Sequence, residues 1–170
     1  IKAPEAPDAL LGFGNFRIVA RQDRPAKEGE DVVRGGGVAL LARKERGMRN
    51  AFARAGTGFE LVAADDELSG RRIINVYRPP DATDTRALID ALGESLGKAS
   101  LPVVLMGDLN YDPKKVGTAD PGVRELHNFL EHTLLLRPRV HFVTRVPRGN
   151  QLGQAATLDH VWAKEEDRVA

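Results

Sequence analysis

The sequence predicts an α/β chain folded as a layered sandwich, and three observations carry that prediction. Short β-rich runs recur along the chain, helical stretches interrupt them singly, and the runs outnumber what one covered sheet takes up. Hydrophobic residues make up 42% of the 170, enough for a sizeable core at the usual size of one domain. Residues 1–170 are therefore expected to form a single domain.

The predicted strands lie at residues 37–42, 59–63, 72–77, 102–106, 140–144 and 157–162, each weighted towards aliphatic or β-branched side chains. A first helix is predicted over 85–96, where Leu88, Ile89, Leu92 and Leu96 share one face after a Thr/Asp capping region. A second is predicted over 121–131. There Asp120 stands at the N-cap, Pro121 occupies a first-turn position that tolerates a missing N–H, and Val123, Leu126, Phe129 and Leu130 form the apolar face. Residues 21–34, with Pro25 and Gly29 among acidic side chains, read as an exposed loop. The segment before them has no assignable pattern.

Composition narrows the chemistry. The longest apolar runs, such as Leu101 to Met106, are far short of the roughly 20 residues of a membrane-spanning helix, so no membrane partner is expected. Cysteine is absent, which removes disulfides and thiolate metal sites; a metal must use oxygen or imidazole ligands. A net charge of +1 gives no global field for nucleic acid, so a polyanion would need a local patch. Arg43, Lys44, Arg46 and Arg49 form one such group and Arg137, Arg139, Arg145 and Arg148 another; either is a patch or solvated surface beside strands. The chain begins at Ile1 without a targeting pattern, which reads as an excised or processed piece.

Three segments carry candidate chemistry. In residues 101–110, LPVVLMGDLN, strand alternation would point Asp108 and Asn110 the same way while Leu109 packs backward. A carboxylate and an amide on one rim suit phosphate chemistry, the first taking a proton from water and the second holding that water; the same residues also suit a turn. In residues 71–80, RRIINVYRPP, Tyr77 ends a strand just before two prolines, with its hydroxyl available to a phosphate oxygen or simply to solvent. Asn75 shares the Tyr77 face by alternation, and Arg78 reaches either phosphate or water. In residues 157–162, TLDHVW, Asp159 and His160 face opposite sides, so they are not one catalytic pair, and His160 reads as structural.

Taken in order, NVYRPP, VVLMGDLN and TLDHVW resemble the core motifs of the endonuclease/exonuclease/phosphatase superfamily, over roughly residues 20–162. The earlier RGGGVALLARK, residues 34–44, resembles the endonucleases of non-LTR retrotransposons. The resemblance implies a four-layer α/β sandwich, DNase I-like, of two packed mixed sheets flanked by helices. It implies that Asp108 activates or aligns water, Asn110 positions it, Tyr77 contacts the scissile phosphate, Thr144 lies near that phosphate, and Asp159 orients a histidine. Asn75, Arg78, Thr144, Arg145 and Arg148 are the expected phosphate or DNA contacts, with residues 145–156 pressed into a DNA groove.

The superfamily's asparagine strand and metal-binding glutamate should precede Ile1, and its Ser-Asp-His motif should follow the Asp159 strand; neither has a match, so the domain is expected to be truncated at both ends. Asp108 is then the metal ligand the resemblance leaves for Mg²⁺ or Mn²⁺, and this chain alone is expected to be weakly active or inactive. The expected function is a metal-dependent phosphodiester hydrolase, a DNA-nicking endonuclease domain of a retrotransposon, nuclear if the element is active. The alternative is a non-catalytic remnant of the fold serving a larger assembly, with a protein partner completing exposed sheet edges.

Overall fold

The computed structural model describes residues 14–24, 36–82, 84–96, 101–146 and 155–164. Its elements in chain order are β1 (Phe16–Asp23), β2 (Gly37–Arg43), β3 (Met48–Gly56), β4 (Phe59–Asp66), β5 (Arg71–Tyr77), α1 (Thr85–Ser95), β6 (Val103–Asp108), a 3-10 helix (Pro113–Thr118), α2 (Pro121–Asn128), a π-helical turn (Phe129–Thr133), β7 (Arg137–Pro138) and β8 (Asp159–Ala163).

Two sheets result. β1 and β2 form an antiparallel pair, and the other strands form a six-stranded mixed sheet in the order β3-β4-β5-β6-β8-β7, with β5 and β6 parallel. All eight residues of β4 are buried, because this strand is covered on both faces. On one face Phe59, Leu61, Ala63, Ile74, Val76 and Leu105 pack with α1 and α2 through Leu88, Leu92, Val123 and Leu126. On the other, Val62, Ala64 and Ile73 meet Ala20, Val38 and Leu40 of the small sheet. β5 alternates half-buried with buried, as period-two geometry requires of a strand between unequal layers. The fold is thus the expected α/β sandwich of packed sheets with flanking helices, and the described residues fill three of its layers.

Both helices start where their caps dictate. The Asp84 side chain accepts from the Ala87 N–H and that of Asp120 from the Val123 N–H at 3.0 Å, each holding an otherwise orphaned donor. The second helix is α-helical only to Asn128, and the π turn carries its path on to Thr133.

Several expectations are corrected. β1 extends to Asp23, so residues 21–23 are strand and not loop, and residues 25–34 of the expected loop lie outside the described residues; the Arg-rich face of β1 is tied to β2 by backbone pairing rather than by an apolar stripe. β3 was not expected, since its Ala/Arg composition reflects an exposed edge position and not a buried face. Residues 140–144 are not a strand. The ladder beside β8 is taken by Arg137–Pro138, and the chain rejoins only at the Arg145–Ala156 bridge. Arg148 and most of the segment expected to enter a DNA groove lie outside the described residues.

Candidate functional site

A single row of side chains crosses one end of the six-stranded sheet. Glu60 of β4 is the register partner of Tyr77 in β5, Tyr77 of Asp108 in β6, and Asp108 of Asp159 in β8. Paired residues in a sheet project to the same face, and strands stand about 4.8 Å apart, so the phenol and the carboxylates form one line. Tyr77 and Asp108 are the last residues of their parallel strands, and Asp159 is the first of β8. The three segments singled out in the sequence therefore meet at one sheet end.

Local sequence explains the closeness. Gly107 has φ +136°, and a Cβ there would overlap the carbonyl oxygen of Val76, so only glycine lets β6 lie this tightly against β5 just before Asp108. Past Asp108 the chain turns. Asn110 adopts φ +52°, its backbone N–H donates to Asp108 Oδ1 at 3.0 Å, and its Nδ2 donates to the Arg78 carbonyl at 2.7 Å. Asp108 and Asn110 are thus joined by an aspartate-based turn and not by strand alternation: β6 ends at Asp108, although Leu109 packs inward as expected.

Electrostatics single out Asp108. Burial lifts its carboxyl above the ordinary aspartate value of 3.8; the Asn110 N–H opposes the rise, the Asp159 charge adds to it, and Arg145 opposes it. Arg145, exposed on the bridge to Ala156, is the cation whose field reaches this carboxylate. Thr144 adjoins the site through the backbone: its Oγ1 accepts from the N–H groups of Leu158 at 2.9 Å and Asp159 at 3.1 Å, fixing the start of β8.

Two expected contacts stand elsewhere. Asn75 shares the Tyr77 face, but its Nδ2 donates to the Ala39 carbonyl at 3.1 Å and ties the two sheets together. Arg78 projects to the helix-covered face and is 2% exposed, with Nη2 on the Ala82 carbonyl at 2.6 Å and Nη1 near that of Leu109. Alternation places it opposite Tyr77, so it buttresses the turns behind the site instead of facing its mouth.

Behind the Asp108–Asp159 pair lies an aromatic floor. The ring of His160 is 4.7 Å from that of Tyr111 and stacks near Trp162. Trp162 Nε1 can only donate, at 3.1 Å to His160 Nδ1, so the imidazole proton sits on Nε2 and is donated to the Tyr111 carbonyl at 2.9 Å. Burial accordingly lowers the His160 pKa and keeps the ring neutral. This structural role is the one alternation implied.

The row has the donors for a hard divalent cation, though not a closed cage. Among the described residues no group of three or more His, Cys, Asp or Glu side chains converges. Asp108 and Asp159 are nonetheless register partners, and the like-charge effect of Asp159 on Asp108 is the kind a cation relieves. Two carboxylates completed by waters suit a hard divalent cation. Glu60, Arg24 and Gly36 also border the row and carry no local motif; the glycine run at 35–37 is their one visible trace in the sequence.

A sequence model of the Endonuclease/Exonuclease/phosphatase family matches residues 3–170. No curated protein sequence matches the chain. Among solved structures, the catalytic domain of human Nocturnin with bound sulfate superposes with a TM-score of 0.57 at 18% identity, over 95% of this chain and 65% of that one. The endonuclease domain of TRAS1, a telomere-specific non-LTR retrotransposon, gives 0.54 at 15% identity, over 90% and 68%. An endonuclease/exonuclease/phosphatase family protein from Leptotrichia buccalis gives 0.56 at 13%, over 93% and 63%. At these identities the likeness is one of fold, and the chain spans less than two thirds of the Nocturnin and Leptotrichia chains.

Proposed function

Because the chain belongs to the endonuclease/exonuclease/phosphatase family, we propose that it is a metal-dependent phosphodiester hydrolase and, within that class, the DNA-nicking endonuclease domain of a retrotransposon. The observation that carries the proposal is the Tyr77–Asp108–Asp159 row at one sheet end. In this reading the Asp108 carboxylate takes a proton from a water whose oxygen bonds to phosphorus, while the P–O3′ bond breaks and the departing 3′-oxygen takes a proton from solvent, leaving a 3′-hydroxyl and a 5′-phosphate. A carboxyl lifted above its ordinary value is a better proton acceptor than an exposed aspartate.

Tyr77 donates its phenolic hydrogen to a non-bridging oxygen as charge builds there. Asn110, with Nδ2 held by the Arg78 carbonyl, offers its amide oxygen to the water. Asp108, with Asp159 beside it, would hold Mg²⁺ or Mn²⁺, which supplies charge neutralisation at the phosphate when bound. Thr144 and Arg145 flank the phosphate on the β8 side, and Arg148, three residues on in the sequence, is a further proposed DNA contact. The retrotransposon assignment is supported by the glycine-rich approach to β2 and by the fold likeness to the TRAS1 domain.

The test is nicking of supercoiled plasmid by the intact natural protein with Mg²⁺. Asp108→Ala should lower the rate by at least about 10²-fold, the scale of a lost general base. Unchanged nicking by that variant overturns the reading.

A further inference from the structure

Next to Tyr77, on the side away from Asp108, the row holds an ion pair between the buried Glu60 and the half-buried Arg24. Glu60 is 3% exposed, its Oε1 accepts from Arg24 Nε at 2.8 Å, and its Oε2 is buried without a hydrogen-bond partner. The Arg24 guanidinium carbon lies 4.8 Å from the centroid of the Tyr77 ring, in cation–π geometry. Gly36, at φ +103°, clears the space: a Cβ there would overlap the guanidinium. One arginine is thus held by a carboxylate, a ring face and a bare backbone together.

A buried carboxylate with one oxygen unpartnered is a costly way merely to pin two sheets, since neutral side chains fill such a place at less desolvation cost. Its position suggests a use. Glu60, Asp108 and Asp159 put three carboxylates on one row, a hostile surface for an anion unless cations flank it. Arg145 supplies one at the Asp159 end, through its field on Asp108. Arg24 supplies the other at the Glu60–Tyr77 end: its Nε donates to Glu60 and Tyr77 is a second side-chain hydrogen-bond partner, so the part-exposed guanidinium is held beside the phenol.

We propose that Arg24 is a phosphate-binding residue of the Tyr77 site, contacting a non-bridging phosphodiester oxygen, and that Glu60 is the positioning residue that aims it. The proposal rests on the hydrolase reading for its substrate class. Guanidinium is suited to the task because its planar fork can keep one edge on a carboxylate while another meets a phosphate.

The test uses the intact protein carrying Asp108→Asn, so that a short fluorescein-labelled DNA duplex is bound and not cut. Into it goes the double variant Arg24→Met/Glu60→Gln, which removes the pair without changing net charge and without leaving Glu60 buried alone. The dissociation constant should rise about tenfold, as for one lost charge-assisted bond, and the slope of log affinity against log salt should shrink by about 0.9. Thermal unfolding should confirm that the double variant folds; if it does not, Arg24→Lys is read instead. That variant keeps the charge and loses the fork, so it should weaken binding with little change in salt slope. Wild-type affinity and slope in a folded double variant, or wild-type affinity in Arg24→Lys when that variant is the one read, overturn the proposal. Plasmid nicking by the otherwise unaltered protein is scored separately. Absent nicking with Arg24-dependent binding would end the hydrolase reading while supporting the anion contact.

Discussion

Tyr77 and Asp108 are register partners at the ends of two adjacent parallel strands, so a phenol and a carboxylate leave the sheet side by side on the same face. Neither residue is near the other in sequence, and neither has freedom to choose its neighbour: backbone pairing decides it. A site built on strand ends in this way is held by the ladder, which is why its geometry can be tested with small side-chain changes that leave the fold intact.

Removing the Tyr77 hydroxyl should affect turnover most, although the hydroxyl is also a hydrogen-bond partner of Arg24. Tyr77→Phe keeps the ring that Arg24 lies over and the apolar contacts with the small sheet. Loss of one donor to developing charge should lower kcat by about 10²-fold, with KM and melting temperature close to wild type, as read from steady-state cleavage and thermal unfolding.

Asp108→Asn should stabilise the protein at neutral pH while lowering the cleavage rate by about 10²-fold or more. The folded carboxyl is raised above its ordinary value of 3.8, chiefly by burial. For a raised acid, the stabilising contribution is complete below the unfolded value and lost as pH rises through the folded one. At pH 7 the ionised group is therefore a net cost, and the neutral amide should have the higher melting temperature, with the advantage gone in acid. Equal melting temperatures at pH 7 would contradict this.

Gly107→Ala should be severe. Its side chain would overlap the Val76 carbonyl oxygen in a backbone conformation with φ +136°. A loss of roughly 2–5 kcal/mol is expected, combining backbone strain with overpacking, measured as a drop in denaturant midpoint.

His160 should make stability fall in mild acid. Its pKa is depressed by burial, so its contribution is complete above the ordinary value of 6.5 and is lost as pH falls from there towards the folded value. Protonation would set Nδ1–H against the Trp162 N–H. His160→Gln, which can still accept from Trp162 and donate to the Tyr111 carbonyl, should flatten the stability profile below pH 6.5; His127, also depressed by burial, keeps part of the slope. An unchanged profile in chemical denaturation across that range would contradict the assignment.

Legibility in the sequence followed burial. β4 was visible because both of its faces are buried, β5 and β6 because they carry short aliphatic runs at buried positions, and α1 and α2 because their caps and apolar faces agree. β3 was hidden because its edge position accepts Arg49, Arg54 and alanines equally well. The β-branched pattern around Thr144 predicts a strand, whereas its hydroxyl serves the N–H groups at the start of β8 from an irregular segment. At the site, alternation separated Asp159 from His160 correctly. It also put Asn75 on the Tyr77 face, but the bond to Ala39 that occupies its amide depends on a second sheet. The Arg24–Glu60 pair, 36 residues apart in sequence, had no local signature beyond the glycine that makes room for it.

The most direct test of the shared site is a double-mutant cycle on single-turnover DNA cleavage with Tyr77→Phe and Asp108→Asn. If phenol and carboxylate act on one phosphate, each variant alone should lose about 10²-fold or more, and the double variant should lose far less than the product of the two. Multiplying losses, or no loss from Tyr77→Phe, would contradict the claim that the two groups act as one unit on the phosphodiester.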